Sequence, residues 1–396
     1  MKFPGQDLLR QWRSLRQFHK LNQIQRSIVF YAENGNAWAH FQQMIGDLTE
    51  DGQAICYVTS DAQDPVLQRE SDSFRTFYIG AGTVRTIFFG SLACDVCVMT
   101  MPELERFHIK RSSAQPVHYA YIFHSIVSTH MIYGPGAFND YDSLFCVGPH
   151  HVREIRENED LNKLKKKKII EYGYPMLDSI LRDQAQRGQQ TTHDNDRKIR
   201  VLVAPSWGPH GVIESIGRQL VKILLGAGFQ VTLRPHPMTR KKWPNTISDL
   251  EREFTEKGEF VVESQIASQE SLHDSDIMIS DWSGVAYEYA FGCGKPVLFI
   301  DLPRKVNNPD YELLASEPME VTARDQVGHL VDPQNLDSIP AKVRQLCESP
   351  TLVSEQIREV AERHVFNLGK TSGGGDHIKR LVQEHCSRSD NTVDVP

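Results

Sequence analysis

The chain has 396 residues, 40% hydrophobic and 24% charged, which is enough for two or three domains with cores of their own; its 26 Gly and 20 Pro are too ordinary for a disordered or fibrous protein. With 44 basic and 51 acidic side chains the net charge is −7, which argues against nonspecific nucleic-acid binding by the protein as a whole. No apolar stretch reaches the ~20 residues of a membrane-spanning helix, Val285 to Ile300 being broken by Glu288, Gly292, Gly294 and Lys295, and the N-terminus has no secretory apolar core, so a cytoplasmic location is expected.

Residues 1–26 carry Lys2, Arg10, Arg13, Arg16, Lys20 and Arg26 against Asp7 alone, with Leu8, Leu9, Trp12, Leu15 and Phe18 at helical spacing. This predicts a basic amphipathic helix. It suits an anionic membrane surface, with Trp and Leu among the headgroups and Arg in the phosphate layer, and it equally suits a helix packed on its own domain. From Ser27 short apolar runs alternate with helical stretches: SIVFYAE, a helix near Ala37 to Leu48, AICYVTS, FRTFYIG, CDVCVMT, PVHYAYIFH and YDSLFCVG. That alternation predicts a parallel sheet covered on both faces, taken as one domain over residues 27–182. Cys94 and Cys97 have no second Cys or His pair at metal-ligand spacing, so the seven Cys read as reduced, mostly buried thiols. Lys163 to Lys168 form a charge block best read as a solvated face.

Residues 183–198 lose nearly all apolar content and read as a linker. A second alternating series follows: IRVLVAPS, FQVTLRPHP, EFVVES, DIMISDWSG and KPVLFID. It defines a nucleotide-donor domain over 199–386 that includes C-terminal helices, with a polar tail at 387–396. The fold class expected is α/β, two Rossmann-like domains facing a central cleft.

Three turns of the second domain sit where a doubly wound sheet binds ligands. In ISDWSGVAYEYA an aliphatic strand ends at Ser280, and Asp281, Ser283 and Gly284 lead into a helix whose free first-turn amides and positive dipole end suit a phosphate. Glu288, one turn further on, can accept from the hydroxyls of a ribose; the plainer role of Asp281 or Ser283 is a helix cap. In FQVTLRPHP, Arg234 and His236 follow a strand as two potential cations for a diphosphate. In APSWGPHG, Ser206 and His210 are polar groups within reach of a nucleotide, although Gly208 and Gly211 do not meet GxGxxG spacing. In the first domain His124 follows a strand and suits a general base for an acceptor hydroxyl, with His130 as its competitor.

In order and spacing, IFHS, FNDYDSLFCVGPHHVREI, IIEYGYPMLD, VLVAPSW, LRPHP, SDWSGVAYEYAFGCGKPVLF and FNLGKTSGGGDHIKRLV resemble the CDP-glycerol glycerophosphotransferases, which build teichoic acids and related capsule polymers. The resemblance implies a GT-B architecture and an enzyme on the inner membrane face that does not cross it. It places the family's base-like His on His124, its Arg-x-His-Pro histidine on His236, and its Ser-Asp-x-Ser phosphate loop on Ser280, Asp281 and Ser283. Ser125, Met176 and Glu288 depart from the family's usual Gly, Arg and Asp. The implied reaction is attack of a hydroxyl on a lipid-linked or polymeric acceptor at the glycerol-bearing phosphorus of CDP-glycerol, with CMP leaving. No bound cofactor beyond this nucleotide-activated donor is expected, and no metal, since no Asp-x-Asp pair is read in a loop ahead of a strand. The alternatives are a GT-B glycosyltransferase using a CMP- or UDP-sugar, a nucleotide-sugar epimerase, and a non-catalytic nucleotide or polymer binder.

Overall fold

The computed structural model describes residues 4–188, 197–255, 258–263, 269–370 and 373–391. Its strands are β1 (Ile28–Ala32), β2 (Ile55–Thr59), β3 (Phe74–Tyr78), β4 (Val96–Met99), β5 (His118–Ile122), β6 (Ser143–Cys146), β7 (Lys168–Glu171), β8 (Arg200–Val203), β9 (Gln230–Leu233), β10 (Phe260–Val262), β11 (Ile277–Ser280), β12 (Val297–Ile300) and β13 (Gly328–Val331). They form two sheets, seven-stranded in the order β3-β2-β1-β4-β5-β6-β7 and six-stranded in the order β10-β9-β8-β11-β12-β13. The described pairings within each sheet are parallel. This is the α/β class that the alternation predicts.

The strand sequences explain the arrangement. β1, β2, β4, β6, β11 and β12 are buried at every position. Such runs, apolar on both faces, are stable only where helices cover both sides of a sheet. The two cores are separate: Phe30, Phe41, Tyr57, Val98 and Phe145 centre the first, and Val203, Leu220, Leu233, Ile279 and Leu298 the second.

The chain divides into one unit of Met1–His124, Tyr133–Pro175 and Lys370–Pro396, and another of Ser125–Ile132 and Met176–Gly369. This corrects the expected boundaries in three places, the first being Ser125–Ile132, expected within the first domain. The helix Gly374–Asn391 does not stay with the second sheet but inserts Ile378 and Leu381 into the first core. Glycine makes that return possible, because a Cβ on Gly374 would lie 2.6 Å from the Tyr172 hydroxyl and one on Gly375 2.9 Å from Asp47 Cβ. The helix Pro175–Gly188 joins the second unit from Met176 onward, with Leu177 and Ile180 against Gly292 and Arg187 paired to Asp274 at 2.9 Å. Of the expected linker and tail, residues 189–196 and 392–396 lie outside the described residues.

The N-terminal helix forms over Pro4–His19. It packs on its own unit: Leu15 and Phe18 are buried, and Phe18 meets Phe77 and Phe88 edge-on at 5.5 and 5.0 Å. Asp7 accepts from the Tyr78 hydroxyl at 2.9 Å, and Arg10 lies over that ring. Leu8 and Leu9 remain 46% and 68% exposed. No helix among the described residues is long and apolar enough to cross a membrane.

Candidate active site

The second sheet reverses its strand order between β8 and β11, the point where an open α/β sheet opens its crevice. Two residues expected to touch a phosphate there are instead spent on holding the crevice together. Ser280 is fully buried and donates its hydroxyl to the Ala204 carbonyl at 2.8 Å. The buried Asp281 carboxylate accepts from the Ser206 amide at 2.7 Å and the Val212 amide at 3.3 Å, which ties the turns after β8 and β11. A carboxylate out of water needs such donors, and facing a phosphate it would only repel it. Ser206 is itself buried, with its amide committed to this latch.

Ser283 and Gly284 lie at the start of the helix Val285–Cys293, which opens without a side-chain cap; the Ala286 and Tyr287 amides donate back to the Ser283 and Gly284 carbonyls, both at 3.1 Å, so what this end offers an anion is its dipole and the Ser283 hydroxyl. Ser283, Gly284 and Glu288 are partly exposed at this end. Position 284 has to be glycine for a packing reason that the sequence alone does not reveal: a Cβ there would sit 2.9 Å from Ser125 Oγ and 3.6 Å from Val127 Cγ1. That segment, Ser125–Ile132, is clamped within the second unit. Buried Glu320 accepts from the Ser128 amide at 2.8 Å and its hydroxyl at 2.6 Å, and Asn308 donates to the His130 carbonyl at 2.8 Å.

Arg234 and His236 are not the expected pair of cations. The Arg234 side chain, 11% exposed, is paired with Glu263 at 3.2 Å and donates to Ser271 Oγ at 3.0 Å. His236 caps the helix Pro237–Lys242, its Nδ1 accepting from the Met238 amide at 3.0 Å. Burial, reinforced by Lys305, pushes its pKa down to about 4. The ring is therefore neutral near pH 7, and with Nδ1 accepting, its proton is on Nε2. Cations do stand nearby, at positions that sequence reading passed over: Lys242 and Lys305 lie 4.5 and 4.6 Å from the centre of the Trp207 ring, and the His236 ring is 6.1 Å from it. Their only signal in the sequence is position, each falling in a turn or short helix after β8, β9 or β12.

On the first sheet, His124 follows β5 by two residues and is partly exposed. Its Nδ1 is 3.1 Å from the Tyr121 hydroxyl, and Tyr174 donates to its carbonyl at 3.1 Å. The Tyr133 and His40 rings flank it at 5.8 and 6.3 Å. Desolvation by the protein packed around it lowers its pKa, an effect that the Thr100 carbonyl opposes, so it is neutral near pH 7. His40, wholly buried, is pushed down to about 3 by burial and by His124. Tyr121, Tyr174 and His40 were not among the expected site residues, although Tyr174 falls within IIEYGYPMLD. His130, the competing base, is buried.

Contrary to the expectation, Asp-x-Asp pairs do precede strands; of these, Asp194–Asp196 lies outside the described residues, and the two pairs among the described residues are engaged within the protein. Asp142 binds Arg111 at 2.9 Å and the Tyr119 amide at 2.8 Å. Asp276 binds Arg197 at 2.6 Å and the Arg200 amide at 2.8 Å, while Asp274 holds Arg187.

Residues 138–303 match the family described as CDP-glycerol:poly(glycerophosphate) glycerophosphotransferase, as the motifs implied. No curated protein matches the sequence. Among solved structures, the wall teichoic acid polymerase TagF, soaked with CDPG, is similar with a TM-score of 0.54 at 13% identity, covering 98% of this chain and 99% of its own. The UDP-GlcNAc 2-epimerase from Neisseria meningitidis bound to UDP-GlcNAc has a TM-score of 0.56 at 15% identity, covering 90% and 99%. A glycosyltransferase from Rickettsia africae has 0.51 at 11%, covering 91% and 99%. At these identities the structural likeness is one of fold.

Proposed function

We propose, from the premise that this is a CDP-glycerol glycerophosphotransferase-like enzyme, that it moves glycerol phosphate, or a similar polyol phosphate, from a CDP-linked donor to a hydroxyl of a lipid-linked or polymeric surface glycan. The observation that carries this reading is His124: neutral, partly exposed, and held by Tyr121 and Tyr174 at the C-terminal end of β5. In the tautomer that donates Nδ1–H to Tyr121, the free lone pair is on Nε2. Nε2 takes the acceptor's hydroxyl proton, the oxygen bonds to the glycerol-bearing phosphorus, and the bond from that phosphorus to the bridging oxygen breaks. CMP departs with the electron pair. The positive dipole end of Val285–Cys293, the Ser283 hydroxyl and the Nε2–H of His236 bind the charge that gathers on the leaving phosphate. Glu288 takes the ribose hydroxyls. The protein's own groups supply both proton and charge handling, so activity in EDTA equal to that without it is the expected outcome.

The enzyme works at the inner face of the cell membrane. Leu8 and Leu9 leave an apolar strip on the N-terminal helix, and Arg13 and Arg16 supply its charge. Replacing Leu8 and Leu9 by Ser should reduce co-sedimentation with anionic liposomes, and unchanged sedimentation would refute the membrane role.

A glycosyltransferase using a CMP- or UDP-sugar is the second reading, favoured by Glu288 where a carboxylate can accept from ribose. Incubation with CDP-glycerol, CDP-ribitol and a panel of nucleotide sugars separates the two. CMP release from a CDP-polyol in the presence of acceptor is expected; turnover of a nucleotide sugar alone would overturn the polyol phosphate reading.

A further inference from the structure

The turns after β8, β9 and β12 bring together three side chains for which the reading above has no use: Trp207, Lys242 and Lys305. Both ammonium groups lie over one indole, at 4.5 and 4.6 Å from its centre. Among the described residues neither lysine has an ion pair or a hydrogen bond. Lys242 is exposed, whereas Lys305 and Trp207 are half-buried.

The neighbouring carboxylates do not neutralise the pair. Asp281 and Glu214 attract Lys305, but burial outweighs them and its pKa is lowered. Asp281 is held by two backbone amides, and Glu214 Oε1 accepts from the Thr239 hydroxyl at 2.8 Å, while its buried Oε2 has no hydrogen-bond partner among the described residues. Two like charges on one ring, one of them partly desolvated, are an arrangement that a bound anion relieves. The indole holds the pair through cation–π attraction while leaving their N–H donors unspent. The group also stands at the C-terminal ends of parallel strands, beside the Nε2–H of His236, where open α/β sheets take nucleotides.

We infer that Lys305 and Lys242, braced on Trp207, grip the phosphates of a nucleoside diphosphate-type donor, the task that Arg234 cannot perform because Glu263 and Ser271 hold it. This rests on the donor reading above. Lys305, the more enclosed, carries the larger share, and the grip is indifferent to the base.

The test is calorimetric titration of the full chain and its Lys305→Gln, Lys305→Arg and Arg234→Gln variants with CDP, UDP, CMP and inorganic phosphate, folding being checked by near-ultraviolet circular dichroism. Loss of a charge-assisted contact should weaken CDP about 10- to 100-fold in Lys305→Gln, with most of the affinity restored in Lys305→Arg. Raised salt should narrow the gap between wild type and Lys305→Gln. Equal CDP affinity in wild type and a folded Lys305→Gln would overturn the grip and leave the transferase reading standing. If wild type binds UDP and not CDP, and Lys305→Gln loses UDP, the grip is upheld and the CDP-donor reading fails. Should inorganic phosphate bind as tightly as CDP and compete with it, the site is a plain phosphate site and the donor assignment is overturned.

Discussion

The C-terminal edges of the two sheets share a topology and differ in electrostatics. At the first, His124 sits among Tyr121, Tyr133, Tyr174 and His40, a neutral aromatic setting that lowers the imidazole's proton affinity. At the second, the uncapped helix Val285–Cys293, Lys305 and Lys242 concentrate positive potential, and carboxylates in the same region are tied to amides or a hydroxyl. Under the proposed reaction the same strand-turn-helix unit serves two opposite needs. A base must lose its proton near neutral pH, whereas a phosphate needs donors that never do.

Removing the neutral edge should cost most. His124→Ala is expected to slow transfer by about 10²- to 10⁴-fold, the usual worth of a general base, with CDP affinity unchanged in titration. Transfer within a few-fold of wild type would assign the base elsewhere. Acid should be the next most damaging treatment. Folding holds His40 at about 3 and His236 at about 4, below their ordinary value of 6.5, so below pH 6.5 the unfolded chain binds protons that the native chain refuses. Stability present above pH 6.5 is then lost on acidification, by up to about 1.4 kcal/mol per pH unit for each histidine. Thermal melts between pH 7.5 and 5 check this; a Tm that does not fall would refute the buried, neutral state of both rings.

A smaller effect sharpens the second edge. Gly284→Ala forces a Cβ against Ser125 Oγ, so it should lower Tm and weaken CDP binding, and pairing it with Ser125→Gly should restore much of both. Additive losses in the pair would contradict that contact. Smallest of all, Arg234→Gln should leave CDP affinity within about threefold of wild type, because the guanidinium already serves Glu263. A loss as large as that of Lys305→Gln would restore Arg234 as the clamp.

Much of the fold was legible because parallel strands buried on both faces must be unbroken apolar runs, as IVFYA and IMIS are. The return of Gly374–Asn391 to the first core was not, because an amphipathic helix does not state which sheet it covers. At the site, several side chains within the turns that the motifs mark serve the fold instead. Ser280 and Asp281 stand on the turn expected to be a phosphate loop yet face inward, since the turns after β8 and β11 need donors and acceptors to join them. Arg234 reads as a free cation until Glu263, on the neighbouring strand's turn, is seen beside it. Trp207 and Lys305 are nearly a hundred residues apart, and only the sheet makes them neighbours.

Bond exchange at phosphorus is what separates glycerol phosphate transfer from sugar transfer. Phosphorus-31 NMR of wild-type enzyme with CDP-glycerol and a hydroxyl-bearing acceptor distinguishes them. The diphosphate signals should give way to CMP and a new phosphodiester; free CDP, with no phosphodiester formed, would rule out attack at phosphorus.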